Sequence, residues 1–149
     1  MSTYVQKPGW FTVKILNQAV GWLTGRGISI WGSRVLAVRG RKSGEWRTTP
    51  VNLLTVNGER YLLAPRGHVQ WTHNMRAAGG GELRLGKNVD VFTATEVADD
   101  DKVELLRAYL KRWKAEVGVF FNGVGADSPD ADLRRIAPDH PVFRIAVTK

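Results

Sequence analysis

Two turn signals constrain this chain more than anything else in it. Asn57-Gly58 joins two β-rich runs between Thr49 and Pro65, and Asn-Gly is the strongest short hairpin signal because both residues tolerate the positive φ of a type I′ turn. Gly86-Lys87-Asn88 turns a second hairpin whose strands are Glu82 to Leu85 and Val89 to Val97. In the latter, Val89, Val91, Thr93, Thr95 and Val97 share one face. A short strand from Val35 to Arg39 runs into the loop Gly40-Arg41-Lys42-Ser43-Gly44, and a final strand from Val142 to Val147 turns Phe143, Ile145 and Val147 inward. Hairpins dominate and no βαβ unit recurs, which argues against a doubly wound sheet. The expectation from periodicity is an antiparallel barrel or sheet, mainly β within the α+β class, with about three helices packed outside.

The helical signals are fewer. Phe11, Ile15, Leu16, Ala19, Val20 and Leu23 recur at helical spacing after Pro8, predicting a helix over about 8–24 that either docks on the core or lies amphipathically on a lipid surface. Val69 to Ala78 reads as one short helix ended by Gly79-Gly80-Gly81. Asp99 to Asp101 supply an N-cap and acidic first turn for a helix with Val103, Leu106, Leu110, Trp113 and Val117 as its apolar stripe. A polar loop from Asn122 to Asp130 and a helical turn from Ala131 to Ile136 complete the reading. At 149 residues the chain accommodates one domain, 1–149, with a core of its own.

Cysteine is absent, so no disulfide framework, thiolate metal site or thiol nucleophile is available. Met1 to Pro8 lacks a signal-peptide pattern, and no apolar run approaches the roughly 18–20 residues that span a bilayer, so a cytoplasmic location is expected. Peripheral membrane contact through the first helix is the alternative. The formal charge is +8, and between Arg26 and Arg47 six cations (Arg26, Arg34, Arg39, Arg41, Lys42, Arg47) face one anion, Glu45. The basic pole calls for a negatively charged partner.

Within that pole, Gly40 to Gly44 with Arg47-Thr48-Thr49 combines backbone freedom, cations and hydroxyls, the mixture that binds phosphate. The spacing is not that of a P-loop, and a solvated basic turn is the plainer alternative. A second constellation, Ala64-Pro65-Arg66-Gly67-His68 followed by Trp71-Thr72-His73-Asn74-Met75, places Trp71, Asn74 and Met75 on one helix face. A flat ring system would lie against such a face, and ordinary core packing of Trp71 and Met75 is the alternative. His68, His73 and His140 have no reliable metal spacing, so no metal is expected. Nucleophile-elbow and zinc-protease motifs are missing too.

The run RGRKSGEWRTTP from Arg39 to Pro50, the hairpin after it and Trp71-Thr72-His73-Asn74-Met75 resemble the deazaflavin-dependent nitroreductase and quinone reductase family of actinobacteria, whose members use coenzyme F420. The resemblance covers about Arg34 to Val97 with specific motifs. It implies a split β-barrel related to the FMN-binding barrels. It implies further that Arg41, Lys42, Ser43 and Arg47 hold the cofactor's phosphate and acidic tail. Thr48, Thr49, Pro50, Val51 and Asn52, with Ala64, Pro65, Arg66 and Gly67 and with Trp71, Thr72, His73 and Asn74, would then line the deazaflavin. The implied activity is F420H2-dependent hydride transfer to a conjugated acceptor: a quinone, an enone or a nitroaromatic.

No catalytic side chain is assigned; His68, His73 and Tyr109 are the candidates for a proton donor. Where many members carry Ser-Lys-Gly-Gly after the second strand, this chain has Pro65-Arg66-Gly67, and Thr72 stands where an aromatic often follows the tryptophan. These departures leave the acceptor open. The alternative reading is a lipid- or fatty-acid-binding or membrane-surface module on the same scaffold. Nucleic acid is not an expected partner, since Trp46 alone interleaves with the loop cations. A small-molecule acceptor is, with the chain acting as a monomer or homodimer.

Overall fold

The computed structural model describes residues 33–148. The helix expected over 8–24 lies outside the described residues. Six strands form a closed antiparallel barrel: β1 (Ser33–Arg39), β2 (Trp46–Val56), β3 (Glu59–Leu63), β4 (Gly80–Leu85), β5 (Asn88–Glu96) and β6 (Val142–Thr148), in the spatial order β1-β2-β3-β6-β5-β4. Three α-helices accompany them among the described residues: α1 (Gln70–Ala78), α2 (Val103–Val117) and α3 (Asp130–Ile136). The mainly β architecture with helices outside a barrel is the one the turn signals predict.

Local chemistry explains the hairpins. Asn57 and Gly58 take φ of 52° and 79°, the left-handed pair a type I′ turn requires, and Val56 pairs with Glu59 across it. The second turn is tighter than expected: Asn88 already pairs with Leu85, leaving Gly86-Lys87 as a two-residue loop. The glycine triplet divides its labour. Gly79, at φ 72°, ends α1 by donating its N–H to the Met75 carbonyl. Gly80 and Gly81 are not helix stops but the first residues of β4, where an added Cβ would collide with the carbonyl oxygens of Phe92 and Ala37.

Apolar residues form two clusters. Leu36, Val38, Leu62, Met75, Leu83, Phe92, Phe143 and Ile145 fill the barrel, with Trp71 of α1 packed against them. A second core joins Leu54, Leu63 and Val142 on the barrel to Leu105, Leu106, Tyr109, Leu110 and Trp113 of α2 and Leu133 and Ile136 of α3. The expected α2 stripe is therefore buried at Leu106, Leu110 and Trp113, with Val103 packed at its margin; Val117's side chain lies outside the described ones. In β5 the face that carries Val89, Val91, Thr93 and Thr95 points outward, with the two valines about half exposed; Phe92 points in. Asp99–Asp101 form a separate 3-10 turn instead of capping α2. Asp99 pairs with the buried Lys102 at 2.7 Å, and the first α2 bond runs from the Leu106 N–H to the Lys102 carbonyl.

Candidate functional site

The basic loop between β1 and β2 is a folded turn and not a slack connection. Gly40 donates its N–H to the Glu45 carbonyl at 2.8 Å, Gly44 returns one to Gly40 at 2.9 Å, and Gly44 sits at φ 72°. The loop is fastened to α1 by Arg41. Its backbone N–H donates to Asn74 Oδ1 at 3.1 Å, while its Nη1 donates to the same oxygen at 2.8 Å and to Gln70 Oε1 at 2.9 Å. Asn74 is buried, so this oxygen is a fixed point shielded from water. Residues 33 apart are thereby joined, and the loop that carries Lys42 and Ser43, with Arg47 just beyond it at the start of β2, is set against the helix that carries Trp71 and His73. Lys42, Ser43, Arg47 and Thr48 are all exposed. Ser43 Oγ accepts the Glu45 N–H at 3.2 Å, which leaves its O–H as a donor for an outside acceptor.

Ala64 to His68 connects β3 to α1. Ala64 is buried and anchored by its N–H to the Pro141 carbonyl at 2.9 Å; Gly67 lies at φ 98° and donates to the Ala64 carbonyl at 3.2 Å. Arg66 Nε is buried and meets no hydrogen-bond acceptor among the described residues. On α1, Trp71 leans on Phe143 with ring centroids 5.9 Å apart and stays partly exposed, whereas Thr72 is fully buried with its hydroxyl donating to the Val69 carbonyl. Thr72 therefore stands in the wall behind the surface, and any contact with a ligand would be through its neighbours.

The third expected segment, Thr48 to Asn52, is the first half of β2. It pairs with β1 on one side, and pairing with β3 begins only at Leu53, so among the described residues its other edge meets no strand. Pro50 fits here because a proline costs least where one edge is unpaired. Alternate residues diverge: Val51 packs on the barrel interior, while Asn52 Nδ2 on the opposite face donates to the Tyr109 hydroxyl at 3.3 Å.

Three proton-donor candidates come out differently. Tyr109 is buried between Trp113 and Phe121, a core residue. His68 has both nitrogens engaged: Nε2 donates to the Pro138 carbonyl at 2.8 Å and Nδ1 accepts from Arg76 Nη2 at 3.3 Å, since a carbonyl only accepts and a guanidinium only donates. His73 is half-buried, and desolvation, then the charges of Arg76 and Arg41, hold its pKa below the ordinary histidine value. It is therefore neutral near pH 7. Among the described residues no group of three His, Asp or Glu side chains is placed to hold a metal.

Spacing did not point to the supports of α1 or to the buried lysine. Arg76 forms a bidentate pair with Glu96 at 2.8 Å, an interaction that raises the arginine pKa and lowers that of the glutamate. Lys102 lies buried with Nζ on the Ala137 carbonyl at 2.9 Å. Neither pairing leaves a local pattern.

The sequence profile of the F420H(2)-dependent quinone reductase family matches residues 11–125. Among solved structures the chain is similar to the F420-H2 dependent reductase FDR-A, with 18% identity, a TM-score of 0.55 and coverage of 77% of this chain and 94% of that one. A protein solved as a domain-swapped dimer matches with 21% identity and a TM-score of 0.58, covering 91% and 93% of the two chains. A FAD-binding protein from Mesorhizobium loti is 16% identical, with a TM-score of 0.50 and coverage of 91% and 89%. At these identities the likeness is one of fold, a split barrel of the FMN-binding type. No curated protein sequence matches.

Proposed function

The chain belongs to the F420H(2)-dependent quinone reductase family and is an F420-dependent oxidoreductase; on that premise we propose that it delivers a hydride from reduced deazaflavin to a conjugated acceptor such as a quinone, an enone or a nitroaromatic. The observation that carries this reading is the fastening of Arg41 to Asn74 and Gln70, which sets a basic, glycine-turned loop against an aromatic helix face.

The donor set fits the group. F420 brings a phosphodiester and several carboxylates at one end and a polar-edged ring at the other. Arg41, Lys42 and Arg47 offer cations for the first, and the Ser43 O–H a further donor. For the second, Arg66 Nε is a buried N–H with no acceptor among the described residues, and burying such a donor unpaired costs about 1–3 kcal/mol, which a ring or acceptor oxygen would recover. Thr48 to Asn52 contribute strand backbone, Ala64 to Gly67 a turn, and α1 the face of Trp71 and Asn74, with His73 on a separate side. When bound, the reduced deazaflavin supplies the hydride from the carbon in place of the flavin N5. The protein's share is to bind, orient and exclude water. With His68 and Tyr109 engaged elsewhere, the proton that completes reduction comes from solvent, directly or relayed by His73, which takes up a solvent proton on one ring nitrogen as it passes one on from the other.

The partner is a small-molecule acceptor. Among the described residues no helix is long and apolar enough to cross a membrane. A structural neighbour is a domain-swapped dimer, so we read the active species as a monomer or a homodimer, which light scattering resolves.

A fluorescence titration of the purified protein with oxidised F420, with FMN as control, tests the proposal. F420 binding that exceeds FMN binding and falls in the Arg41→Ala/Lys42→Ala protein supports it. Absence of F420 binding at low salt overturns it.

A further inference from the structure

We propose that His68 and His140 form a reciprocal clasp that positions the Ala64–Gly67 turn against the cofactor, making both of them positioning residues for hydride transfer. The inference rests on the reading that this turn lines the deazaflavin.

The geometry is that of two chain segments holding each other's backbone. His68, at the end of the turn, donates Nε2–H to the Pro138 carbonyl at 2.8 Å. His140, two residues beyond Pro138, donates Nδ1–H back to the Ala64 carbonyl at 3.3 Å, at the other end of the same turn. A backbone bond lies between them, from the Ala64 N–H to the Pro141 carbonyl at 2.9 Å. Four residues of irregular chain, with Gly67 at φ 98°, are thus pinned at both ends to one opposing segment.

That segment is itself braced. It is the 3-10 turn Ala137–Asp139, and the buried Lys102 donates to its first carbonyl, Ala137, at 2.9 Å while pairing with Asp99. His140 is fully buried and stacked on Phe121, with ring centroids 4.3 Å apart at 20°. His68 is held on its second nitrogen by Arg76, which in turn grips Glu96. The groups facing the two imidazoles are therefore Arg76, Glu96 and His73 around His68, and Lys102, Asp139 and Phe121 around His140. Burial keeps His140 neutral with its pKa pushed down to about 4.

A clasp of this kind acts through the backbone, so a side chain with a donor at the same place should replace it. A glutamine amide nitrogen lies near the imidazole Nε2 position, and an asparagine nitrogen near Nδ1. The experiment compares His68→Gln with His68→Leu and His140→Asn with His140→Leu in the full chain. It reads F420 affinity, KM for F420H2 and kcat with a soluble quinone, and amide hydrogen exchange of the cofactor-free protein over residues 64–69. The leucine variants are expected to weaken F420 binding by about tenfold, the loss of one hydrogen bond to a buried carbonyl, while the amide variants stay within about threefold of wild type. Exchange over 64–69 should accelerate in the leucine variants and recover in the amide variants.

Equal exchange over 64–69 in the wild type and both leucine variants overturns the clasp, as does equal loss in the amide and leucine variants when all remain folded by circular dichroism. Should the histidine 140 variants not fold, the His68 pair decides alone. A wild-type protein that fails to bind F420 while the exchange pattern follows the donors overturns the functional reading and the cofactor half of the clasp together, leaving the turn-holding half standing.

Discussion

Asn74 holds Arg41 twice with one oxygen: Oδ1 accepts from the Arg41 backbone N–H at 3.1 Å and from its guanidinium at 2.8 Å. One buried acceptor thereby sets both the course of the loop and the direction of its leading cation. Asn74→Ala removes that point and leaves an N–H and a guanidinium to find water. The expected stability loss is about 1–2 kcal/mol, with F420 affinity falling by roughly fivefold to tenfold. Asn74→Asp keeps the acceptor and adds an anion beside the loop proposed to hold an anionic cofactor, so its melting temperature should hold while its affinity falls further. Thermal melts and F420 titrations of the two variants together separate positioning from charge.

The twin glycines of β4 predict a contrast. A Cβ at Gly81 would collide with the Ala37 carbonyl oxygen, and backbone cannot step aside as a side chain can. Gly81→Ala should cost about 3 kcal/mol through overpacking between strands. A Cβ at Gly79 meets no atom within 4 Å, and only its φ of 72° opposes a side chain. Gly79→Ala should cost about 1 kcal/mol. Urea denaturation of both variants checks the order; equal costs would contradict the packing argument.

His140 predicts how stability responds to acid. Its folded pKa is pushed down to about 4 by burial, from 6.5 when unfolded. Between those values the unfolded chain binds the extra proton, so stability falls as pH drops from 6.5 to 4 and is fully present above 6.5. The accumulated loss is on the order of 3 kcal/mol. His73, also lowered, contributes in the same direction. His140→Leu should flatten the dependence of unfolding free energy on pH across that window, measured by urea titrations at several pH values.

Lys102 predicts an asymmetry between two substitutions. Its Nζ serves the Ala137 carbonyl and Asp99, and the Asp99 side chain is 54% exposed. Removing the ammonium therefore strands no buried anion. Lys102→Met keeps the buried stem and should stay within about 1 kcal/mol of wild type. Lys102→Ala empties the site and should cost about 2–3 kcal/mol. Differential scanning calorimetry distinguishes them.

The barrel was readable because its determinants are local. The Asn57-Gly58 turn, the alternation of Phe143 and Ile145 and the glycine after Ala78 act over a few residues, and each appears where expected. Alternation in β5 identified two faces but not which is inner; Phe92, on the opposite face, is the residue buried in the barrel, while Val89 and Val91 stay about half exposed. The candidate site is legible in the sequence only in its parts. The basic loop and the Trp71 helix each carry a composition, yet their junction is a hydrogen bond across 33 residues, and the histidine bonds to Pro138 and Ala64 span 70 and 76. Pairings at such separations follow from the closure of the fold and leave no periodic trace. Gly80 and Gly81 were misread for a similar reason, since the carbonyls that exclude a Cβ belong to distant strands.

The ring of strands has an order of assembly written into it. β6 occupies the slot between β3 and β5, pairing with β3 along Val142–Ile145 and with β5 along Phe143–Thr148. During synthesis, therefore, the sheet β3-β2-β1-β4-β5 emerges first with open edges at β3 and β5, and closure waits for the seven residues of β6 that bridge those edges. Contacts of such long sequence separation make folding slow, in the range of milliseconds to seconds. A nascent chain stalled before Val142 would present two unpaired strand edges to its neighbours, which makes the last strand a gatekeeper against aggregation as much as a wall of the barrel.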